Sequence, residues 1–386
     1  KGTVRRIPSS MPSFFRRRLT TLNRIEIRRE SIEHNFYTIK KLTAGKDIFP
    51  VLKSNAYGHG IIPIAEILRD QDFPYFAVDS YYEALQVRKI APRKKILILG
   101  YNFPENYRYF DFTDIAVTVY DRESLEVLNK LGKKIEAHLK INTGLNRQGI
   151  APEELADFLA IFKKSKKLVL DGVCSHFADA DNSTNDFTNA QEKVFSRCID
   201  EVLSQGFSPR FIHIANTAGM LKTKDPRINA VRPGIGLYGV NPLSTKDKYF
   251  EDFQNLKPAL RLSSTLINII ELKKGEKVGY NGTFTASQHM RIGVVPVGYY
   301  ECLPRALSNT GFFCAQGKSL PILGRIHMNL TCFDLKDLNL KRDDEIEIIA
   351  TAKNALNSVE SIAKACQTIP YEILVKLSES IRREVI

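Results

Sequence analysis

Val51-Leu52-Lys53-Ser54-Asn55-Ala56-Tyr57-Gly58-His59-Gly60 places a lysine where an apolar run ends and a polar, glycine-punctuated turn begins. In a parallel α/β protein chemistry is kept at that point, at the C-terminal mouth of a barrel or beyond the strand ends of an open sheet. A lysine there is half desolvated. Loss of water disfavours the ammonium, lowers its pKa and readies the amine to attack an aldehyde or to act as a base. An isolated lysine at a strand end is ordinarily a solvated surface group. Lys53 differs in its company, because Asn55, Tyr57 and Gly58 crowd polar and backbone donors into the same turn.

Outward from that stretch, β-rich runs alternate with amphipathic ones. Strands are expected at 47–52, 75–78, 95–99, 114–119, 135–141, 168–174, 211–215 and 229–231. Helical spacing of apolar residues falls between them, at 61–68, 81–89, 122–131, 152–162 and 191–203. Eight strands and their helices in roughly 200 residues match the size of a (β/α)8 TIM-like barrel. A doubly wound sheet is the alternative, but no GxGxxG follows a strand. Beyond residue 250 the chain turns β-branched and turn-rich, at 262–270, 291–297, 320–326 and 345–350, with one helix-like run at 358–365. The reading is therefore a basic leader at 1–22, a barrel at 23–250 and a mostly β domain at 251–386, joined near 246–255.

At 386 residues with 43% hydrophobic side chains the chain can fill two cores. No apolar run reaches membrane-spanning length, so a soluble protein without a membrane partner is expected. Six cysteines lie scattered with no CxxC pair, which fits reduced thiols in a cytoplasm and no metal site. The formal charge of +13 includes six basic residues within 1–18, where no acid occurs, leaving +7 for the rest. That remainder shows no basic stretch interleaved with aromatics, which argues against nucleic acid as a partner. The segment 1–20 lacks the apolar core of a secretory signal; its Arg- and Ser-rich, acid-free composition overlaps with transit peptides, and a disordered leader is expected.

If the barrel is right, residues just past strand ends gather on one face. Lys53 follows the first strand, Arg147 the fifth, His176 the sixth, Asn216 and Thr217 the seventh, and Arg232-Pro233-Gly234-Ile235-Gly236 the eighth. Loops after strands seven and eight of such barrels often bind phosphate through backbone N–H groups and a short helix. Thr217 has a hydroxyl to give, Gly234 admits close approach and Tyr57 adds a phenol. Asn216-Thr217 taken alone reads equally well as a helix cap. His34, His138 and His289 are read as satisfied core residues.

These motifs together resemble the alanine racemase family. The resemblance runs from about Asn23 to the C-terminus. Beyond the lysine stretch it includes Lys140-Ile141-Asn142-Thr143-Gly144-Leu145-Asn146-Arg147, Ser175-His176-Phe177, His213-Ile214-Ala215-Asn216-Thr217-Ala218 and Arg232-Pro233-Gly234-Ile235-Gly236-Leu237-Tyr238-Gly239. In the second domain come Val278-Gly279-Tyr280-Asn281-Gly282-Thr283-Phe284, Pro304-Arg305 and Gly324-Arg325-Ile326-His327-Met328.

The resemblance implies interconversion of L- and D-alanine, with D-alanine supplied for peptidoglycan, and pyridoxal 5'-phosphate carried by Lys53 as an imine. It places Tyr57, Asn216, Thr217, Gly234 and Ile235 around the phosphate and Arg232 at the pyridine nitrogen. His176 would link Arg232 to the catalytic tyrosine, with His213 as support. Lys53 and Tyr280 are implied as opposed bases, Tyr280 coming from the partner in a homodimer, with Arg147 and Met328 at the substrate. The lysine matching Lys140 is carbamylated in some members and then holds that arginine; a plain buried lysine is the alternative. The chain departs from the family's GYADGYPR at Gly298-Tyr299-Tyr300-Glu301-Cys302-Leu303-Pro304-Arg305, from CMD or SMD at His327-Met328-Asn329, and from an ending with glycine and RVPR at Ser378-Glu379-Ser380-Ile381-Arg382-Arg383. Those positions bear on substrate choice, leaving serine or other small amino acids as alternatives to alanine. A barrel-type decarboxylase would need an acid in place of Arg232, and a non-catalytic cofactor carrier would lack residues 255–386.

Overall fold

A computed structural model describes residues 21–386. All but the last two residues of the leader read at 1–22 lie outside the described residues. The first elements are β1 (Asn23–Ile27) and α1 (Arg29–Leu42). Eight parallel strands follow: β2 (Asp47–Ile48), β3 (Tyr75–Val78), β4 (Lys95–Ile98), β5 (Ile115–Val119), β6 (Ile135–Lys140), β7 (Leu168–Cys174), β8 (Phe211–Asn216) and β9 (Ala230–Arg232). They pair in the order β2-β9-β8-β7-β6-β5-β4-β3, and a parallel bridge between Val51 and Ala77 closes the ring. This is the expected (β/α)8 barrel.

The first barrel strand is shorter than the run 47–52. Pro50 has no N–H, so regular pairing stops at Ile48. Phe49 and Val51 nonetheless donate to the carbonyls of Val231 (2.8 Å) and Pro233 (3.0 Å), carrying the chain straight to Lys53. Between the strands lie α2 (Ile61–Leu68), α3 (Tyr81–Ile90), α4 (Arg122–Lys130), α5 (Leu155–Lys164) and α6 (Asp186–Ser204). Their starts follow from capping chemistry. Ser80 accepts the Glu83 N–H (3.3 Å) at α3 and Asp121 accepts the Ser124 N–H (2.7 Å) at α4, each satisfying an otherwise unpaired first-turn donor. Inside the barrel the buried Phe49 ring packs edge-on against Tyr75 (5.4 Å between centroids), Phe211 (5.0 Å) and His213 (5.2 Å).

The second domain is built on β10 (Leu260–Thr265), β11 (Asn268–Leu272), a small ribbon of β12 (Lys277–Val278) and β13 (Phe284–Thr285), then β14 (Met290–Val295), β15 (Phe312–Ala315), β16 (Lys318–Leu323), β17 (Thr331–Asp334), β18 (Glu345–Ile349), α7 (Val359–Ala365), α8 (Pro370–Val375) and β19 (Arg382–Val385). Its main sheet has the order β11-β14-β17-β16-β15-β18-β10-β1-β19. Two readings change here. The strand β1, placed with the barrel by the reading 23–250, pairs antiparallel with β10 and parallel with β19, Ile25 facing Leu262 and Arg383. Its alternating Ile25 and Ile27 mark a strand but not the sheet that receives it. The run 262–270 is two strands, since β10 pairs with β18 whereas β11 pairs with β14.

Phe49→Ala removes the ring against which side chains of β3 and β8 pack. Unfolding in urea should show a loss of about 3–5 kcal/mol, the range for deleting a buried aromatic. Tyr82→Ala, on the exposed face of α3, should stay within about 0.5 kcal/mol. Equal losses for the two would mean that Phe49 is not packed as described.

Candidate active site

After β2 the chain enters a turn of the wrong hand. Ser54, Asn55, Ala56 and Tyr57 all have φ between 52° and 55°, the left-handed region. Each non-glycine residue there costs about 1–2 kcal/mol, so the turn persists only because its surroundings over-determine it. The Ala56 N–H donates to the Leu52 carbonyl (2.8 Å) and the Gly58 N–H to that of Ser54 (3.2 Å). Glu83 holds the turn against β3, accepting from Ser54 N–H and Asp79 N–H (both 2.7 Å). Asn55 accepts the Ile61 N–H (2.9 Å) at the start of α2.

Lys53 and Tyr57 thereby line one cavity of about 290 Å³ at the C-terminal mouth of the barrel. The same cavity is lined by Arg147 and Lys140 from β6 and its loop, by His176, by Asn216 and Thr217, and by Arg232, Gly234 and Ile235. Four cationic side chains, Lys53, Lys140, Arg147 and Arg232, face it against one carboxylate, Asp79. Burial lowers the pKa of Lys53; Arg147 and Arg232 press it the same way, while Asp79 and Glu83 oppose them.

One end of the cavity is a backbone cradle. Thr217 Oγ1 accepts the N–H groups of Gly234 (3.0 Å) and Gly236 (3.3 Å), which leaves its own proton free to donate. A Cβ at Gly234 would lie 2.4 Å from the Tyr57 phenol oxygen, so only glycine lets that ring close over the loop. Burial raises the Tyr57 pKa to about 12, keeping the phenol a donor. Asn216 accepts the Gly219 N–H (3.0 Å) and so braces its own loop.

The other end is set by Arg232, which is buried on the barrel axis. Its terminal nitrogens donate to the carbonyls of Ser175 (2.7 Å), Ile214 (3.1 Å) and His213 (3.2 Å), to His176 Nδ1 (3.2 Å) and to His213 Nδ1. Arginine is only a donor, so His213 Nδ1 accepts and its Nε2 carries the proton. That proton faces His138 Nδ1 (2.7 Å), and His138 Nε2 then faces Asp171 (3.3 Å). Burial, followed by the Arg232 charge, holds both His176 and His213 well below the ordinary histidine pKa, hence neutral.

His138 is thus a core residue, but one that continues the line from Arg232. The same reading fails for His34 and His289. His34 sits at the surface bonding the Asn255 carbonyl (2.8 Å), and His289 is exposed beside Glu271 (3.2 Å).

Lys140 donates to Gln148 Oε1 (2.8 Å), whose amide donates to the Tyr120 phenol (3.1 Å). It does not hold Arg147, since an amine and a guanidinium are both donors. Tyr280 and Met328 do not line the cavity. Both stand on the second domain, 69% and 56% exposed. The Tyr280 ring rests edge-on against His327 (4.7 Å), the residue where the family pattern has cysteine or serine. Two other departures answer each other, because Asn329 donates to Glu301 (2.8 Å), which also accepts the Gly298 N–H (2.8 Å).

The sequence reading missed Tyr371 and Val375 of α8, which also line the cavity. Tyr371 packs on Tyr57 (5.9 Å). Pro370, which suits the first position of a helix, was the available signal.

Sequence models of two consecutive domains match the chain: "Alanine racemase, N-terminal domain" over residues 27–242 and "Alanine racemase, C-terminal domain" over 259–385. The chain belongs to the alanine racemase family. It is a racemase, and the decarboxylase and carrier readings fall. The alanine racemase of Borreliella burgdorferi is 33% identical over 366 residues, 93% of this chain and 96% of that protein. The alanine racemase structure from Streptomyces lavendulae has a TM-score of 0.89 at 26% identity, covering 95% of this racemase and 98% of that chain. The Bartonella henselae structure, solved with covalently bound pyridoxal phosphate, has a TM-score of 0.83 at 27% identity, covering 95% and 100%.

Burial, reinforced by Arg232 and Arg147, brings the pKa of Lys140 down to about 8. Its rate of acetylation by trace acetic anhydride should therefore half-saturate near pH 8 in cofactor-free protein, well below the ordinary lysine value of about 10.4. Arg147→Met removes one repelling cation and should move that midpoint upward. A midpoint near the ordinary value in the parent would show that the amine is solvated.

Proposed function

We propose that this racemase interconverts L- and D-alanine using pyridoxal 5'-phosphate, in a site completed by Tyr280 of a second copy. The observation that carries the reading is the convergence in one electropositive cavity of a desolvated amine, a backbone cradle and an obligate cation. The cavity fits the cofactor by its donors: the Thr217 and Tyr57 hydroxyls over the Gly234 turn suit a phosphate, and Arg232 at the other end suits a ring nitrogen. When bound, pyridoxal phosphate withdraws electrons from the α-carbon of an amino acid joined to it.

The chain's own residues divide the remaining work. Thr217, Gly234, Ile235, Tyr57 and Asn216 hold or frame the phosphate. Arg232, always charged, keeps the ring nitrogen from gaining a proton, which moderates electron withdrawal and limits side reactions. His213 and His176 hold Arg232 in place, and because burial keeps both neutral, Arg232 is the charged member of the three. Lys53, with its lowered pKa, takes or returns the α-proton on one face and Tyr280 does so on the other. Inversion of a stereocentre by proton removal needs a base on each side. Arg147 and Met328 bear on the substrate.

A single chain leaves Tyr280 exposed and outside the cavity. Tyr299, Tyr300 and Leu330 are exposed as well. A twofold homodimer in which each exposed face meets the other chain's cavity supplies two complete sites. We place the enzyme in the cytoplasm, supplying D-alanine for peptidoglycan. All six cysteines are free, and among the described residues no helix is long and apolar enough to cross a membrane.

Tyr280→Phe should lower turnover of L-alanine by ~10²–10⁴-fold, the usual loss for a general base, with pyridoxal phosphate still bound. Lys53→Ala should be equally inactive. When the two variants are unfolded together and reassembled, mixed dimers contain one site with both lesions and one intact site, so activity returns. Mixed dimers that form and stay inactive would place both bases on one chain.

A further inference from the structure

The guanidinium of Arg383 sits half-buried where the second domain meets the lysine turn, and all its hydrogen bonds go to backbone carbonyls. Nε donates to Gly58 (2.9 Å), one terminal nitrogen to Ser378 (3.0 Å) and Ile381 (2.9 Å), and the other to Leu377 (3.2 Å). Among the described residues no carboxylate lies within ion-pair distance of it. Those carbonyls lie just past the ends of two elements that build the cavity, with Ile381 in the loop before β19. Gly58 ends the left-handed turn that begins at Lys53, and Leu377 and Ser378 follow α8, which supplies Tyr371 and Val375. The two elements touch directly: a Cβ at Gly58 would lie 1.9 Å from the Leu374 carbonyl oxygen, and one at Gly60 2.9 Å from Arg383 Cδ. Ser378 is tied in turn to the loop of Tyr299 and Tyr300, its N–H donating to the Glu301 carbonyl (3.0 Å).

We infer that Arg383 is a positioning residue that clamps the strained Lys53 turn to α8, fixing the distance between the Lys53 amine and Tyr371 across the cavity. The physical ground is that a left-handed run of four non-glycine residues needs external bonds to persist. The turn's own bonds and Glu83 hold its start, whereas its exit at Gly58 is held by Arg383. The planar fork spans carbonyls from both elements at once, which a lysine cannot reproduce. The functional half of this inference rests on the racemase site proposed above, but the clamp itself does not require it.

The test is amide hydrogen exchange in the cofactor-free full chain, comparing the parent with Arg383→Met and Arg383→Lys. Methionine keeps the apolar stem beside Gly60 and removes the fork. Exchange in peptides covering 54–60 and 371–378 should rise on the order of tenfold or more, as expected for losing charge-assisted bonds that hold a local unit. Strands β6 and β8 should be unchanged. Arg383→Lys, which retains one short reach to a carbonyl, should fold and fall between the two. With L-alanine and pyridoxal phosphate, Arg383→Met should lose kcat more than it raises KM, because a displaced Lys53 moves the α-proton less well while the groups that hold substrate are untouched. Unchanged exchange at 54–60, or a uniform rise over the whole molecule, overturns the clamp. Should the parent fail to racemise alanine while the local exchange effect appears, the proposed function falls and the clamp stands.

Discussion

A guanidinium on the axis of a barrel is an expensive object, because an arginine that loses its water must find a polar partner for nearly every N–H. Arg232 finds them in the carbonyls of Ser175, His213 and Ile214 and in two imidazoles. That demand shapes the middle of the molecule. It forces Nδ1 of His213 to accept, sends the His213 proton toward His138, and leaves the His138 Nε2 facing Asp171 on the same strand β7 that leads to His176. An arginine at one end can only donate and a carboxylate at the other can only accept, so both ends impose the same protonation order. The cation is thereby held at the cavity without a carboxylate beside it.

The opposite wall is governed by a different constraint. Lys53 must leave β2 and the chain must turn back within five residues so that Tyr57 reaches the same cavity. The left-handed turn is costly and is stabilised from three sides, by Glu83 from α3, by the Ile61 N–H at the start of α2, which Asn55 accepts, and by Arg383 from β19. The strain is thus held by barrel and second domain together, and the second domain does more than carry Tyr280. This gives β1 and β19 a reason to share a sheet, because their parallel pairing places Arg383 beside Ile25 and over Gly58.

The positions where the chain departs from the family pattern cluster on that second domain. Glu301 and Asn329 are bonded to each other, so an amide donor now faces a longer carboxylate. His327 fills space beside Tyr280 that a cysteine or serine would leave open, and Gly279 makes room for it. The terminal arginine acts from 383. The match to both domains stands with these departures in place.

Read alone, the sequence settled whatever depends on local pattern. Eight apolar runs separated by helical spacing specified the barrel, and a lysine, a threonine and Arg-Pro-Gly-Ile-Gly just past strand ends marked the cavity. Those signals are legible because each is a short-range consequence of backbone geometry. The tertiary structure decided what depends on which distant group is nearest. It assigned β1 to the second sheet, joined His138 to His213 across 75 residues, gave Lys140 to Gln148, brought Tyr371 onto Tyr57 and left Tyr280 exposed. A strand's alternation fixes which side chains are buried but not which edge it joins. A buried donor specifies that an acceptor must exist, and only the packing of remote segments says which residue provides it.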